Sequence, residues 1–159
     1  MKRNRKESKR EPKTIQVWTQ EQALHVLPYV ASIMSSLRES QLEAIRHDLK
    51  AKRLSEKEGR LSRTEIIAQQ DAFAAAQQAE EALYATLEEL HELDIYCLDP
   101  VQGLALIPFA VGDELAWYVF DLFDPKALRH WRYHKDPIET RRSIAGASIQ
   151  PAGDGSVVI

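Results

Sequence analysis

Ser55-Glu56-Lys57-Glu58-Gly59-Arg60 is the stretch that decides the fold. It is polar, it holds a glycine, and helical periodicity runs on both sides of it. It reads as the bend of a helical hairpin. Just past it, Ser62-Arg63-Thr64-Glu65 has the form of a capping box, and so does Thr19-Gln20-Glu21-Gln22 upstream. In each, a hydroxyl accepts from the amide three residues on, while that residue's side chain reaches back to the cap amide. Each box opens a helical run of about thirty residues, or roughly 45–50 Å at 1.5 Å per residue. Rods of that length exceed a compact domain of this size, so they must pair with each other, and a second chain is the natural further partner.

Outward from the bend, the first helix carries Leu24, Leu27, Val30, Met34 and Leu37 at spacings of three and four. After a one-residue slip come Leu42, Ile45 and Leu49. This is a core stripe and not a cofactor box. Pro28 lies inside the run, where it lacks an N–H and its ring opposes the carbonyl of Leu24. A kink, or a break between a short and a long helix, is expected there. The second helix sets Ile66, Phe73, Ala76, Leu83, Leu87 and Leu90 on a heptad-like seam interrupted by Gln69 and Glu80. Its Ala72–Ala79 middle is small in volume and lets a neighbouring backbone come close. Two partners suit that face: a second copy in a coiled-coil homodimer, or the chain's own sheet covering a monomeric hairpin.

Beyond Leu93-Asp94 the period changes from near 3.6 to 2. Ile95–Leu98, Leu104–Ala110 and Glu114–Phe123 read as strands, the last apolar enough to be covered on both faces. Pro108 confines the second of these to an edge or a bulge. Thr14–Trp18 suits a short strand before the first helix. Ala127–His134 fits a short helix or an irregular excursion, and Arg141–Ile144 a last short strand. The expected class is α+β, a long antiparallel helical hairpin packed on a small antiparallel sheet of three to five strands. The expected organisation is a disordered basic arm (1–13), one domain (14–144) and a flexible tail (145–159).

Composition narrows the classes of function. The chain has 159 residues, of which 44% are hydrophobic and 28% charged, which suits one soluble domain. No apolar run is long enough to span a bilayer, and the basic N-terminus has no apolar stretch after it to form a secretory signal. The single cysteine, Cys97, fits a reducing compartment, so the cytoplasm is the expected location. Residues 1–13 hold seven Lys/Arg against two Glu, a net of +5, so a total of −3 leaves −8 on the remainder. Such an arm either neutralises phosphates in a loose nucleic-acid or acidic-surface contact, or is a solvated tail.

From Val17 to about Ile144 the chain resembles a family of small bacterial proteins known as domain of unknown function two-two-zero-three. The residues that carry the resemblance are Thr19–Leu24 with Val26-Leu27-Pro28-Tyr29, and Leu90-His91-Glu92-Leu93-Asp94-Ile95. They continue with Asp99-Pro100, Gly103-Leu104, Pro108, and Asp124-Pro125 followed by Trp131. The resemblance implies long paired helices beside a small antiparallel sheet, and no activity. The family pattern has an acidic residue where this chain has Leu106, a Trp-His pair where it has Trp131-Arg132, and Gly-Phe-Ala-Gly-Arg where it has Pro137-Ile138-Glu139-Thr140-Arg141. A polar site built from those groups would lack several of its parts here.

Reactive side chains are densest between Asp124 and Asp136. On a helix, His130 and His134 would share a face at i and i+4, a spacing that suits one metal ion, with Asp124 as a third ligand. Against this, Arg129, Arg132 and Lys135 would repel a cation. Together with Arg141 and Arg142 they form instead an anion- or partner-binding patch, with Trp131 as a stacking surface. The plainest alternative is a basic surface segment with Trp131 tucked into the core. Cys97 reads as a small hydrophobe, and Glu88, Glu89, His91 and Glu92 as a solvated face. No glycine-rich phosphate loop is present and no cofactor is implied. The expectation is a non-catalytic interaction or scaffold protein that self-associates through its helices. The alternative is a small metal- or anion-dependent enzyme built on the His130–Arg142 segment.

Overall fold

Polar caps fix where the two rods begin and a glycine marks where the chain reverses. In the computed structural model, which describes residues 13–126, 128–144 and 156–158, strand β1 (Thr14–Gln16) leads into helix α1 (Gln20–Ser55). Thr19 Oγ1 accepts from the Gln22 amide at 3.2 Å, and Gln22 Oε1 accepts from the Thr19 amide at 3.0 Å, a complete capping box. Helix α2 (Arg63–Glu92) starts at Ser62, whose Oγ accepts from the Glu65 amide at 3.2 Å. The reciprocal half is different: Ser62 Oγ donates to the Glu65 carboxylate, which also takes Lys57 Nζ at 2.7 Å. Between the helices Gly59 adopts φ 86°, which costs an L side chain energy but not glycine.

α1 runs unbroken through Pro28, so neither a short–long split nor a break occurs there. Pro28 lies on the exposed side, where water can satisfy the carbonyl that loses its donor. α2 ends in a Schellman motif. The Asp94 amide donates to the His91 carbonyl at 2.9 Å and the Ile95 amide to the Leu90 carbonyl at 3.2 Å, while Leu90 and Ile95 are both fully buried. Asp94 takes the left-handed conformation that the motif requires (φ 54°) and its Oδ2 accepts from the Gln16 amide at 2.9 Å, fastening β1 to the helix end.

The sheet follows as β2 (Tyr96–Asp99), β3 (Leu104–Val111), β4 (Glu114–Asp121), β5 (His130–Tyr133) and β6 (Arg142–Ser143), all antiparallel and in chain order. The chain is therefore an α+β protein with two packed helices and a five-stranded sheet. A second, two-stranded sheet pairs β1 with β7 (Ser156–Val158). Of the arm and tail expected at the ends, residues 1–12, 145–155 and 159 lie outside the described residues.

β3 and β4 are buried on both faces. On one face Ala105, Ile107, Phe109, Ala116, Tyr118 and Phe120 meet Leu27, Val30, Met34 and Leu37 of α1. Phe109 and Tyr118 stack at 4.0 Å between ring centroids. On the other, Ile15 closes over Leu106, Leu115, Trp117 and Val119. β3 is an internal strand, unlike the expectation from Pro108. β2 stops pairing at Leu106, however, so Pro108 lies where that flank is open. Its carbonyl accepts there from the Trp18 amide at 2.8 Å. The N and C=O of one strand residue point the same way, so its missing N–H takes no bond from the β3–β4 ladder.

The apolar stripe expected along α1 is core only in its first half. Leu24, Leu42, Ile45 and Leu49 are exposed, and the distal burial falls to Ala44 and Ala51. On α2, Ala72 and Ala76 are buried while Phe73 is 52% exposed and Ile66 is also open. The small middle of α2 thus admits α1, and the larger seam residues flank that contact. The reason is length. α1 spans about 54 Å and an eight-residue strand about 27 Å, so the hairpin overhangs the sheet.

Candidate functional site

The segment with the most reactive groups is a strand, and this changes what its residues can do. Residues 130–133 form β5, so His130 and His134 share no helical face. Among the described residues no group of three His, Cys, Asp or Glu stands close enough to hold a metal ion. Asp124, the expected third ligand, is clamped by Arg129, whose Nε and Nη2 donate at 2.7 and 3.0 Å. That bond first, and the Lys126 amide second, hold its carboxyl below the ordinary range.

Most of the expected anion-binding cations are likewise engaged. Arg142 grips Asp136 through Nε and Nη2 at 2.9 and 3.1 Å, and Lys135 meets Glu114 at 2.8 Å. Arg141 donates to the carbonyls of Ile138 and Thr140. Trp131 is buried on the helix side, edge-on to Phe109 and Tyr133, with the Arg142 guanidinium 5.5 Å from its ring centroid. Arg129 is thus held by Asp124, while Arg132, Lys135 and Arg142 gather around Asp136 and Tyr133.

Arg132 is the exception. Strand alternation turns it away from Trp131 onto the face that bears Trp117, its cross-strand partner. Only 6% of it is exposed. Its Nη1 donates to the carbonyls of Tyr133 and Asp136, both at 3.2 Å, while its Nε is buried with no acceptor among the described residues. An unpaired buried donor costs about 1–3 kcal/mol. Burial first, and neighbouring Arg141 second, lower its pKa, opposed by Asp136.

Arg132 lines an open depression of about 270 Å³ between β1 and the outer face of the sheet. Ile15, Leu106 and Trp117 supply apolar walls, and Lys13, Tyr96 and His134 the polar ones. Lys13 Nζ donates to the Tyr96 hydroxyl at 2.9 Å, and that bond raises its pKa. Trp117 Nε1 donates to His134 Nδ1 at 3.1 Å, which fixes that nitrogen as the unprotonated one. Among the described residues no carboxylate lines the depression. Leu106 and Arg132 both lie here. Lys13, Ile15, Tyr96 and Trp117 went unrecognised as site residues because they sit on elements far apart in sequence. The one available signal was parity, since a strand reading of 130–133 places Arg132 opposite Trp131.

Elsewhere Cys97 is half-buried, and burial, with Asp99 adding to it, pushes its thiol up to about 11. It is a poor nucleophile at neutral pH. Glu88, Glu89, His91 and Glu92 are exposed.

The fold and the depression define a small α+β protein with a two-helix hairpin, a cationic apolar hollow and no assembled catalytic constellation among the described residues. No described helix is long and apolar enough to cross a membrane. Residues 16–144 match the family model described as "Uncharacterized conserved protein (DUF2203)", and the chain belongs to that family. No curated protein and no solved structure matches the chain.

Proposed function

We propose that this is a non-catalytic interaction protein that self-associates through the overhanging half of its hairpin. The observation that carries the proposal is the apolar flank left open there. At 100° per residue, Ile45 and Leu49 fall on the side of α1 that carries Leu27 and Met34 into the core nearer its start. Ile66 and Phe73 fall about 100–120° from the Ala72 seam on α2, which for antiparallel helices is the same side of the hairpin. Past the end of the sheet Ile45, Leu49, Ile66 and Phe73 are exposed, with none of the described residues over them.

The occupant is a second copy, for a reason of charge. Residues 42–55 hold four Lys/Arg against two Asp/Glu, a net of +2. The facing stretch of α2, residues 63–76, holds Arg63 against Glu65 and Asp71, a net of −1. A two-fold pairing that lays α1 of each copy against α2 of the other buries both apolar flanks and apposes opposite charges. A reducing, cytoplasmic setting suits the one thiol. The cations of residues 1–13 add a salt-dependent, sequence-independent contact with nucleic acid or another acidic surface.

Light scattering at micromolar concentration tests the self-association. The expected mass is twice the 18.1 kDa of the chain, reduced to one chain by Leu49→Glu or Phe73→Glu and unchanged by Ile138→Glu, an exposed apolar residue away from the hairpin. A single-chain mass for the unaltered protein overturns the proposal. Retention on a heparin column, lost on removing residues 1–13, tests the arm.

A further inference from the structure

The outer-face depression lies on the side of the sheet away from the helices, and it lacks what its chemistry calls for. We propose that it binds a small organic carboxylate with an apolar body, and that the Arg132 side chain is its anchor.

Three observations converge on an anion. The first is the state of Arg132: both of its hydrogen bonds leave from Nη1 and its Nε is sealed from solvent, which leaves Nη2 without an acceptor among the described residues. Nη2 can give a carboxylate oxygen one charge-assisted hydrogen bond. The second is charge. Among the described residues Lys13 and Arg132 line the hollow and no acidic side chain does. The nearest competitor, Asp136, is already held by Arg142 through both oxygens and also accepts from the Tyr133 amide. The third is that the rest of the lining is apolar or aromatic, and about 270 Å³ lies near the lower limit for ligand pockets. An inorganic anion would leave Ile15, Leu106 and Trp117 unpartnered. A neutral apolar molecule would leave Arg132 Nη2 unpaired. A carboxylate on a ring or branched chain satisfies both.

Benzoate is the probe, and the indole N–H resonance of Trp117 the reporter, because that group stands in the wall beside His134. Titration of the full chain should shift this resonance saturably at millimolar benzoate or below, with benzyl alcohol and inorganic phosphate each weaker by about tenfold or more. Arg132→Gln should weaken benzoate by at least about tenfold, and Lys13→Gln by several-fold. Lys13 is exposed, so the second variant isolates charge from folding. Leu106→Trp, which fills the hollow, should abolish the shift while the circular dichroism stays that of the unaltered protein. The absence of a saturable shift at tens of millimolar would overturn the proposal. So would equal binding of benzyl alcohol or of phosphate, or unchanged benzoate binding in a folded Arg132→Gln variant.

Discussion

Gly103 lies directly beneath Leu122: a Cβ built on the glycine would come within 2.6 Å of the Leu122 Cβ. The two residues are also joined through the backbone, the Leu122 amide donating to the Gly103 carbonyl at 2.9 Å. Gly103 has φ 71°, so a side chain is excluded twice, by conformation and by contact with a chain segment held in place by that hydrogen bond.

Gly103→Ala should therefore cost about 2–4 kcal/mol, the sum of a left-handed penalty and overpacking. Gly112 has the same conformation (φ 61°) but open space where the Cβ would go. Gly112→Ala should cost only about 1–2 kcal/mol. Urea denaturation midpoints for the two variants check the order. Equal losses would mean that the contact with Leu122 adds nothing.

The two helix starts should differ. Thr19→Ala removes one acceptor and undoes a reciprocal box, and about 1–2 kcal/mol is expected to be lost. Ser62→Ala removes a single backbone contact, since Glu65 stays bonded to Lys57, and about 0.5–1 kcal/mol is expected. Thermal melts of both variants give the comparison, and a larger loss at Ser62 contradicts it.

Acid should weaken the β5–β6 region through Asp136. The Arg142 guanidinium holds this carboxyl below its ordinary 3.8. The unfolded chain thus binds a proton at higher pH than the folded one, and stability rises with pH between the two values. The contribution is complete above the unfolded value and disappears as pH falls through the folded one. Asp136→Asn should lower stability at pH 6 and approach the unaltered protein in strong acid. Urea midpoints measured between those limits settle the matter, since parallel curves would mean that Asp136 titrates alike in both states.

Cys97 should resist alkylation. With its thiol pushed up to about 11, the thiolate fraction at neutral pH is on the order of a hundredfold below that of a free cysteine. Iodoacetamide should react correspondingly slowly with the folded protein and at the ordinary rate after denaturation. Fast labelling of the folded chain would contradict the burial.

Thr19, Ser62 and Gly59 announced the hairpin because capping and left-handed turns are local: each depends on residues three or four apart. Glu114–Phe123 announced a strand covered on both faces because its apolar residues follow one another without a break, and β4 has that burial. The segment 130–134 was misread because four residues are too few for period 2 to outweigh the i, i+4 spacing of two histidines. β4 settles the matter by supplying the ladder partners Ala116 to Val119. Leu42, Ile45 and Leu49 could not be told from core residues, because periodicity marks an apolar face without saying whether anything covers it.

Order along the chain was thus fixed by the residues themselves: two rods, a reversal, then strands in succession. Which faces touch was decided only in three dimensions. Burial of Arg132, the closing of Ile15 over the sheet and the exposure of Phe73 each depend on elements distant in sequence and on how far a helix outreaches a strand. Short-range patterns carry no record of those separations.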